Sequence, residues 1–453
     1  MMRSKGLNSG QDLKRAGREQ RRIMPRSKLG LLHQEPRDPL AILAEQNETR
    51  LPELVPLRIE RMSASEFAFY RGTAAIMASD LGREADSGIF VAACGDAHVS
   101  NFGFYASPQR NLLFDLNDFD EAAWAPWEWD LKRLVTSVIV AGRSSQRELD
   151  VIMGAAREAI ESYLKATRSI AKLDPLAHYF SHIDPSSAGR VLDRESKQVL
   201  RAALKDAQKR TGTRAARRLT TIDEVGILRF RTSPPTMTRP GPEVERLLQE
   251  ALQQYEASAN IDVRMLLGQY KVQDIARRAV GVGSVGTRCF VTLLRDRVGN
   301  TMILQTKEAG RSVIEQYGGI AQPAIFNELV AANGQGARVV GLQRILQAYS
   351  DPFLGYIDRD VRSFYVRQFQ DMKGGIDIES LADVPFATYA RSCAVVLARA
   401  HGQSGRSAEI AGYAGASGKL TNSLMAWCLG YADRARGDFE KFVREAGHAG
   451  SGV

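Results

Sequence analysis

The stretch Gly95–Ala122, GDAHVSNFGFYASPQRNLLFDLNDFDEA, governs how the rest of the chain is read. It carries four aspartates, one glutamate, one histidine and three asparagines, interleaved with apolar residues. Just upstream, GIFVAAC (Gly88–Cys94) reads as a short buried strand, and NLLFDL (Asn111–Leu116) reads as a second. A carboxylate beside buried strand is costly unless it is paired, hydrogen-bonded or bound to a cation. The stretch is therefore either a solvated turn or a holder of positive charge.

Spacing favours the second. Asp96-Ala97-His98-Val99-Ser100-Asn101 is D-x-H-x-x-N. A carboxylate followed five positions later by a carboxamide suits phosphoryl-transfer chemistry: the Asp orients the attacking hydroxyl or accepts its proton, and the Asn helps hold magnesium. Asp118-Phe119-Asp120 follows, with Asp118 where a principal metal ligand belongs, Asp120 as a second ligand and Asp115 as a rival. Magnesium takes hard oxygen ligands, typically one or two carboxylates plus phosphates. On that reading Mg²⁺ and a triphosphate offset the carboxylates. The bland alternative is an Asx turn. His98 is grouped with the catalytic candidates Asp96 and Asn101, but reads more as a hydrogen-bonder that holds the loop.

A second constellation lies far downstream. GVGSVGTRCFV (Gly281–Val291) contains G-x-G-x-x-G and runs into a β-prone stretch, a turn, and MILQTK ending at Lys307. Glycines let backbone amides approach phosphate closely. In a dinucleotide fold such glycines open a helix; here they read as a hairpin, with a lysine on the next strand as in a nucleotide clamp. Gly281, Gly283, Ser284, Gly286 and Lys307 are the expected phosphate contacts, and a plain bulged hairpin is the alternative. Asp130, in WEWDL, reads as a structural cap that can bond back to the Asp96 loop. His178 and His182 stand four apart, but without a third ligand they do not make a zinc site.

The bulk numbers bound the class. The 453 residues, 44% hydrophobic and 25% charged, describe an ordinary soluble globular chain of two or three domains. No run approaches the roughly 20 apolar residues of a membrane helix. The net charge is +9, but residues 1–28 hold nine Lys/Arg against Asp12 and Glu19. The basicity thus belongs to an amino-terminal tail, expected to be disordered, which offers the only route to nucleic acid. Four cysteines without a C-x-x-C pair are expected as buried free thiols, consistent with a cytoplasmic location.

Periodicity divides the remainder. Helical patterns run through residues 38–81, 127–142 and 146–166, and a Lys/Arg-rich helical region through 190–218. TSPPTMTRPGP (Thr232–Pro242) reads as a surface loop, and a helix follows from Glu243 to Ala257. Residues 278–307 and 352–371 alternate as strands around a helix at about 336–349, and 384–445 is helical again.

These motifs resemble two families. GDAHVSNF and NDFDEA resemble the catalytic and metal-binding motifs of aminoglycoside and choline phosphotransferases. Over residues 38–442, stretches including RLPELVPLRIERMSASEFAFYRGTAAIMASDL, FDLNDFDEAAWAPWEWDLKRL, GLQRILQAYSDPFLGYI, FYVRQFQDMKG and LARAHGQSG resemble the bacterial family called domain of unknown function 2252. The first resemblance implies an α+β, two-lobed protein-kinase-like fold. In such folds the glycine loop and lysine precede the catalytic Asp, whereas here Asp96 comes first, which implies a circular permutation. The expected layout is a basic tail (1–37), a helical catalytic lobe (38–265), a small β-rich clamp (266–372) and returning helices (373–453). Glu315 or Glu328 would pair with Lys307. The implied activity is ATP- and Mg²⁺-dependent phosphate transfer to a hydroxyl of an unidentified acceptor. The alternatives are a nucleotide-binding pseudokinase and an adenylyl-transferring relative.

Overall fold

Most of the alternating stretches form strands, and the long helical stripes form helices. The structure is a computed structural model and describes residues 9–185, 192–359, 362–369 and 372–450. It is a mixed α+β chain. The Asp-rich stretch is built on two small antiparallel ribbons. β1 (Phe90–Ala93) pairs with β4 (Ala123–Pro126), and β2 (Phe102–Ala106) pairs with β3 (Leu112–Leu116). The nested pairing brings the β1–β2 loop and the β3–β4 loop together, and the Asn117 N–H donates to the Asn101 carbonyl at 2.9 Å.

Behind the ribbons lies the main core. The helix Trp127–Ser144 is buried over nearly its whole length, and the helices Leu149–Ile170 and Asp383–Gly402 pack around it. Trp127 stacks on Tyr163 with ring centres 5.5 Å apart. Its uncharged second half, Leu134–Gly142, is enclosed by those helices, while the buried Glu128, Asp130, Lys132 and Arg133 of its first turns are each hydrogen-bonded or ion-paired.

A second unit is an antiparallel sheet in the order β11-β12-β10-β9-β8-β7. Its strands are β7 (Met237–Thr238), β8 (Tyr270–Arg278), β9 (Cys289–Asp296), β10 (Thr301–Ala309), β11 (Gly355–Arg359) and β12 (Arg362–Gln368). A short ribbon, β5 (Thr220–Ile222) with β6 (Leu228–Phe230), stands beside it. The sheet hides its apolar faces under helices Gly212–Leu219 and Pro242–Ser258: Ala215 and Ala216 cluster with Val291 and Ile303, and Leu252 and Tyr255 with Leu304 and Val366. Both helices were expected in the helical part, before a boundary at 265. A sheet needs cover on its faces, and the chain supplies it from just upstream.

Two further expectations change. The tail is not disordered from Gly10 onward: Gly10–Ile23 is a helix with a reciprocal Ser9–Asp12 capping box, and Leu29 is fully buried. Residues 1–8 lie outside the described part. The helix expected from about 336 begins at Ala324 and runs to Leu346, kinked at Gly334, whose φ of 74° breaks the periodic pattern. The four cysteines are buried and free. Among the described residues, no helix is long and apolar enough to cross a membrane.

Candidate functional site

The Asp96 loop is held from below by backbone-directed bonds. The buried Asp130 carboxylate accepts from the Cys94 and Gly95 amides at 2.7 and 3.0 Å, and lies 3.1 Å from His401 Nε2. His401 in turn meets the Tyr163 hydroxyl at 2.8 Å. Ser137 Oγ accepts from the Val99 amide at 3.0 Å, and the Tyr389 hydroxyl donates to the Val99 and Phe102 carbonyls. Asp130 is thus the structural residue expected, and it acts on the loop backbone.

On this base the side chains separate by role. Arg133 Nε donates to Asp96 Oδ1 at 2.8 Å, and Oδ2 lies 3.6 Å from His98 Nε2. The Asn101 side-chain amide donates to the Asp96 carbonyl at 2.6 Å, so its oxygen is the atom left over. His98 lies 3.6 Å from Asp96 and is buried; burial, with Arg71 and Arg133 nearby, pulls its pKa down to about 4. It is a neutral imidazole at pH 7. Asp115 faces away from the cleft, accepting from the Ala348 and Leu116 amides 3.6 Å from Arg399, and so holds structure.

Lys307 comes to the same place from the sheet. Its ammonium bonds to Asp120 Oδ2 and lies 3.8 Å from Asp118 Oδ1. Asp120 Oδ1 accepts from the Tyr365 hydroxyl at 2.6 Å. Both Asp120 oxygens are therefore engaged, and Asp120 takes the place expected of Glu315 or Glu328. Glu315 instead pairs with Arg311 at 2.8 Å. Burial disfavours the Lys307 charge, but Asp118 and Asp120 outweigh it and hold its pKa well above the usual lysine value. Asp118 is 38% exposed; Lys307, Arg367 and Lys373 overcome its partial burial and hold its pKa at about 2.

The glycine-rich segment is the β8–β9 connection, a hairpin with strand on both sides. Gly281 has a φ of 72° and Gly286 one of 94°, the left-handed region that glycine tolerates. Arg61 donates to the Gly281 carbonyl at 2.6 Å and Arg50 to the Val285 carbonyl, tying the turn to the helical body. Gly286 faces Arg50, and its carbonyl accepts from the Leu51 amide at 2.8 Å.

The cleft has two chambers. The first, of about 490 Å³, is lined by Asp96, His98, Asn101, Asp118, Asp120, Gly281, Gly283 and Ser284. The second, of about 460 Å³, is lined by Lys307, Arg367, Lys373, Arg278, Gln368 and Phe369. Asp118, Gly281 and Ser284 line both. Of the expected site residues, only Gly286 lies outside. Among the described residues, no group of three or more His, Cys, Asp and Glu is arranged to hold a metal alone. The half-exposed Asp118 carboxylate and the spare Asn101 oxygen suit a cation that brings phosphate ligands with it.

The sequence reading missed Arg71, Arg133, Tyr365, Arg367 and Lys373. Tyr365 and Arg367 had a signal: they alternate on β12, and Tyr365 is the cross-strand partner of Lys307. Arg71, whose buried Nε has no partner, had none.

A family model described as an uncharacterized protein conserved in bacteria (DUF2252) matches residues 50–445. No curated protein and no solved structure matches the chain.

Proposed function

The chain belongs to this bacterial family, and we propose from its cleft that it transfers a phosphorus-centred group from a nucleoside triphosphate to a hydroxyl, with Mg²⁺, on a kinase-like fold cut and rejoined upstream of the Asp96 loop. One observation carries the reading: Lys307, from the sheet, and Asp118, from the helical body, face each other at 3.8 Å beneath a glycine hairpin. Such pairs position a triphosphate and neutralise its charge, which is most of what this chemistry asks of a protein.

Asp96, in the wall of the first chamber, takes the hydroxyl proton as the oxygen attacks, while Arg133 fixes the carboxylate in place. Lys307 holds phosphate oxygens as a point charge. Asp120 and Tyr365 set the position of the Lys307 ammonium. Magnesium on Asp118 and Asn101 would supply neutralisation of the phosphate charge.

Calorimetric titration with Mg-ATP tests this. The wild-type chain is expected to bind, and Asp118→Asn and Lys307→Met each to weaken binding by about tenfold or more. A folded wild-type chain that does not bind ATP would end the proposal.

A further inference from the structure

The two chambers differ in charge. Among the described residues, the first is lined by seven carboxylates (Glu45, Glu48, Asp96, Asp118, Asp120, Glu121 and Glu308) against the guanidinium groups of Arg50, Arg71 and Arg311. The second is lined by five cations, Arg110, Arg278, Lys307, Arg367 and Lys373, against Asp118 and Asp351. Both Asp351 oxygens already accept from backbone, at Phe353 and Gln368.

The cations of the second chamber are crowded. Lys307 Nζ and the Arg367 guanidinium lie 5.5 and 5.7 Å from the same Tyr365 ring centre. Lys373 Nζ donates to the Asn117 carbonyl at 3.3 Å, one residue from Asp118. Arg278 lies over the Phe369 ring at 4.8 Å, and its buried Nη1 has no hydrogen-bond partner. Gln305, Gln343, Gln347 and Gln368 add amide groups to the walls. Lys307 is already paired with Asp118 and Asp120, but among the described residues Arg278, Arg367 and Lys373 have no carboxylate within salt-bridge distance, and a neutral nucleobase would leave those part-buried charges uncompensated, which is costly. A chain of phosphates would satisfy them.

We infer that the second chamber takes the polyphosphate end of the nucleotide, leaving the α-phosphate at Asp118 and the nucleoside on the acidic side. This rests on the proposed nucleotide cleft and decides which group moves. The acceptor oxygen then attacks the α-phosphorus. A bond forms between that oxygen and phosphorus, and the bond from phosphorus to the α–β bridging oxygen breaks. The hydroxyl proton passes to Asp96, and pyrophosphate leaves with the bonding pair. The product is a nucleotidylated acceptor, and the reaction is adenylyl transfer when the donor is ATP.

The test uses the full chain with three probes: tripolyphosphate in EDTA, adenosine, and Mg-ATP. Wild type is expected to bind tripolyphosphate without metal. Lys373→Gln and Arg278→Gln, both at partly exposed positions, should each weaken that binding by about tenfold while adenosine binding is unchanged. With water standing in for the acceptor, slow turnover of Mg-ATP should yield AMP and pyrophosphate. Loss of adenosine binding with tripolyphosphate binding intact, or release of ADP and phosphate, would overturn the orientation. ATP binding that persists while tripolyphosphate ignores both substitutions would overturn the orientation alone. A wild-type chain that binds no ATP would remove the nucleotide reading beneath it.

Discussion

Glu128 is a carboxyl group with no solvent exposure. It accepts from the Ser87 amide at 2.5 Å and the Ser87 hydroxyl at 2.7 Å. Burial nevertheless prevails and pushes its pKa from 4.5 up to about 7. A carboxyl whose folded pKa is raised binds its proton more tightly in the folded state. Its contribution therefore falls as pH rises through the window from about 4.5 to about 7, by up to about 3 kcal/mol. Glu121, also raised to about 7 by burial, adds to the same slope. Urea unfolding at pH 5 and pH 8 should show wild type losing stability over that interval, and Glu128→Gln losing visibly less. Equal losses in the two proteins would mean that Glu128 titrates normally. That Asp96, Asn101 and Asp118 gather at one cleft was legible, because they stand close together along one short stretch. Arg71 was not, since an arginine in a helical stripe carries no mark of the chamber it enters.

At the scale of elements, the long helices were legible from their apolar stripes and the sheet from its alternation. The amino-terminal helix was not, because it docks without such a stripe. A Cβ on Gly17 would collide with the Glu409 carbonyl, and one on Gly412 with the Lys14 carbonyl. The helices Gly10–Ile23 and Ser407–Ala414 therefore meet backbone to backbone through two glycines. The overlooked signal was the Ser9–Asp12 capping box, which opens a helix whatever its hydrophobicity. Gly412→Val should push the amino-terminal helix away at a cost of about 1–3 kcal/mol. Limited trypsin digestion reads this directly: cleavage among Arg15, Arg18, Arg21 and Arg22 should accelerate strongly while the remaining fragment resists. Unchanged cleavage in the variant would mean that the close approach is dispensable.

Across the whole molecule, the cleft exists only because the sheet and the Asp-rich stretch are held in register, 187 positions apart between Asp120 and Lys307. No local pattern announces that meeting, and only the resemblance of separate motifs to one kind of site anticipated it. Arg338, buried on the helix Ala324–Leu346, is a polar tie across that junction beside the Lys307 and Tyr365 bonds to Asp120. Its guanidinium donates to the Asp120 and Gly310 carbonyls at 2.9 Å each and to the Ala122 carbonyl, while Nε reaches Gln335 at 2.7 Å. One side chain thus joins the end of β10 to the Asp-rich stretch. Glutamine in its place cannot span three carbonyls, and buried acceptors left unpaired cost about 1–3 kcal/mol each. The loss should fall on the junction more than on either core, because each core keeps its own apolar contacts. In Arg338→Gln, hydrogen exchange should quicken in peptides covering 301–309 and 117–126 and stay near wild type in 149–170. Mg-ATP affinity should fall with it, since Asp120 would no longer be fixed against Lys307. Uniformly faster exchange across all peptides would instead assign Arg338 to general stability, and the register of the cleft would then need another keeper.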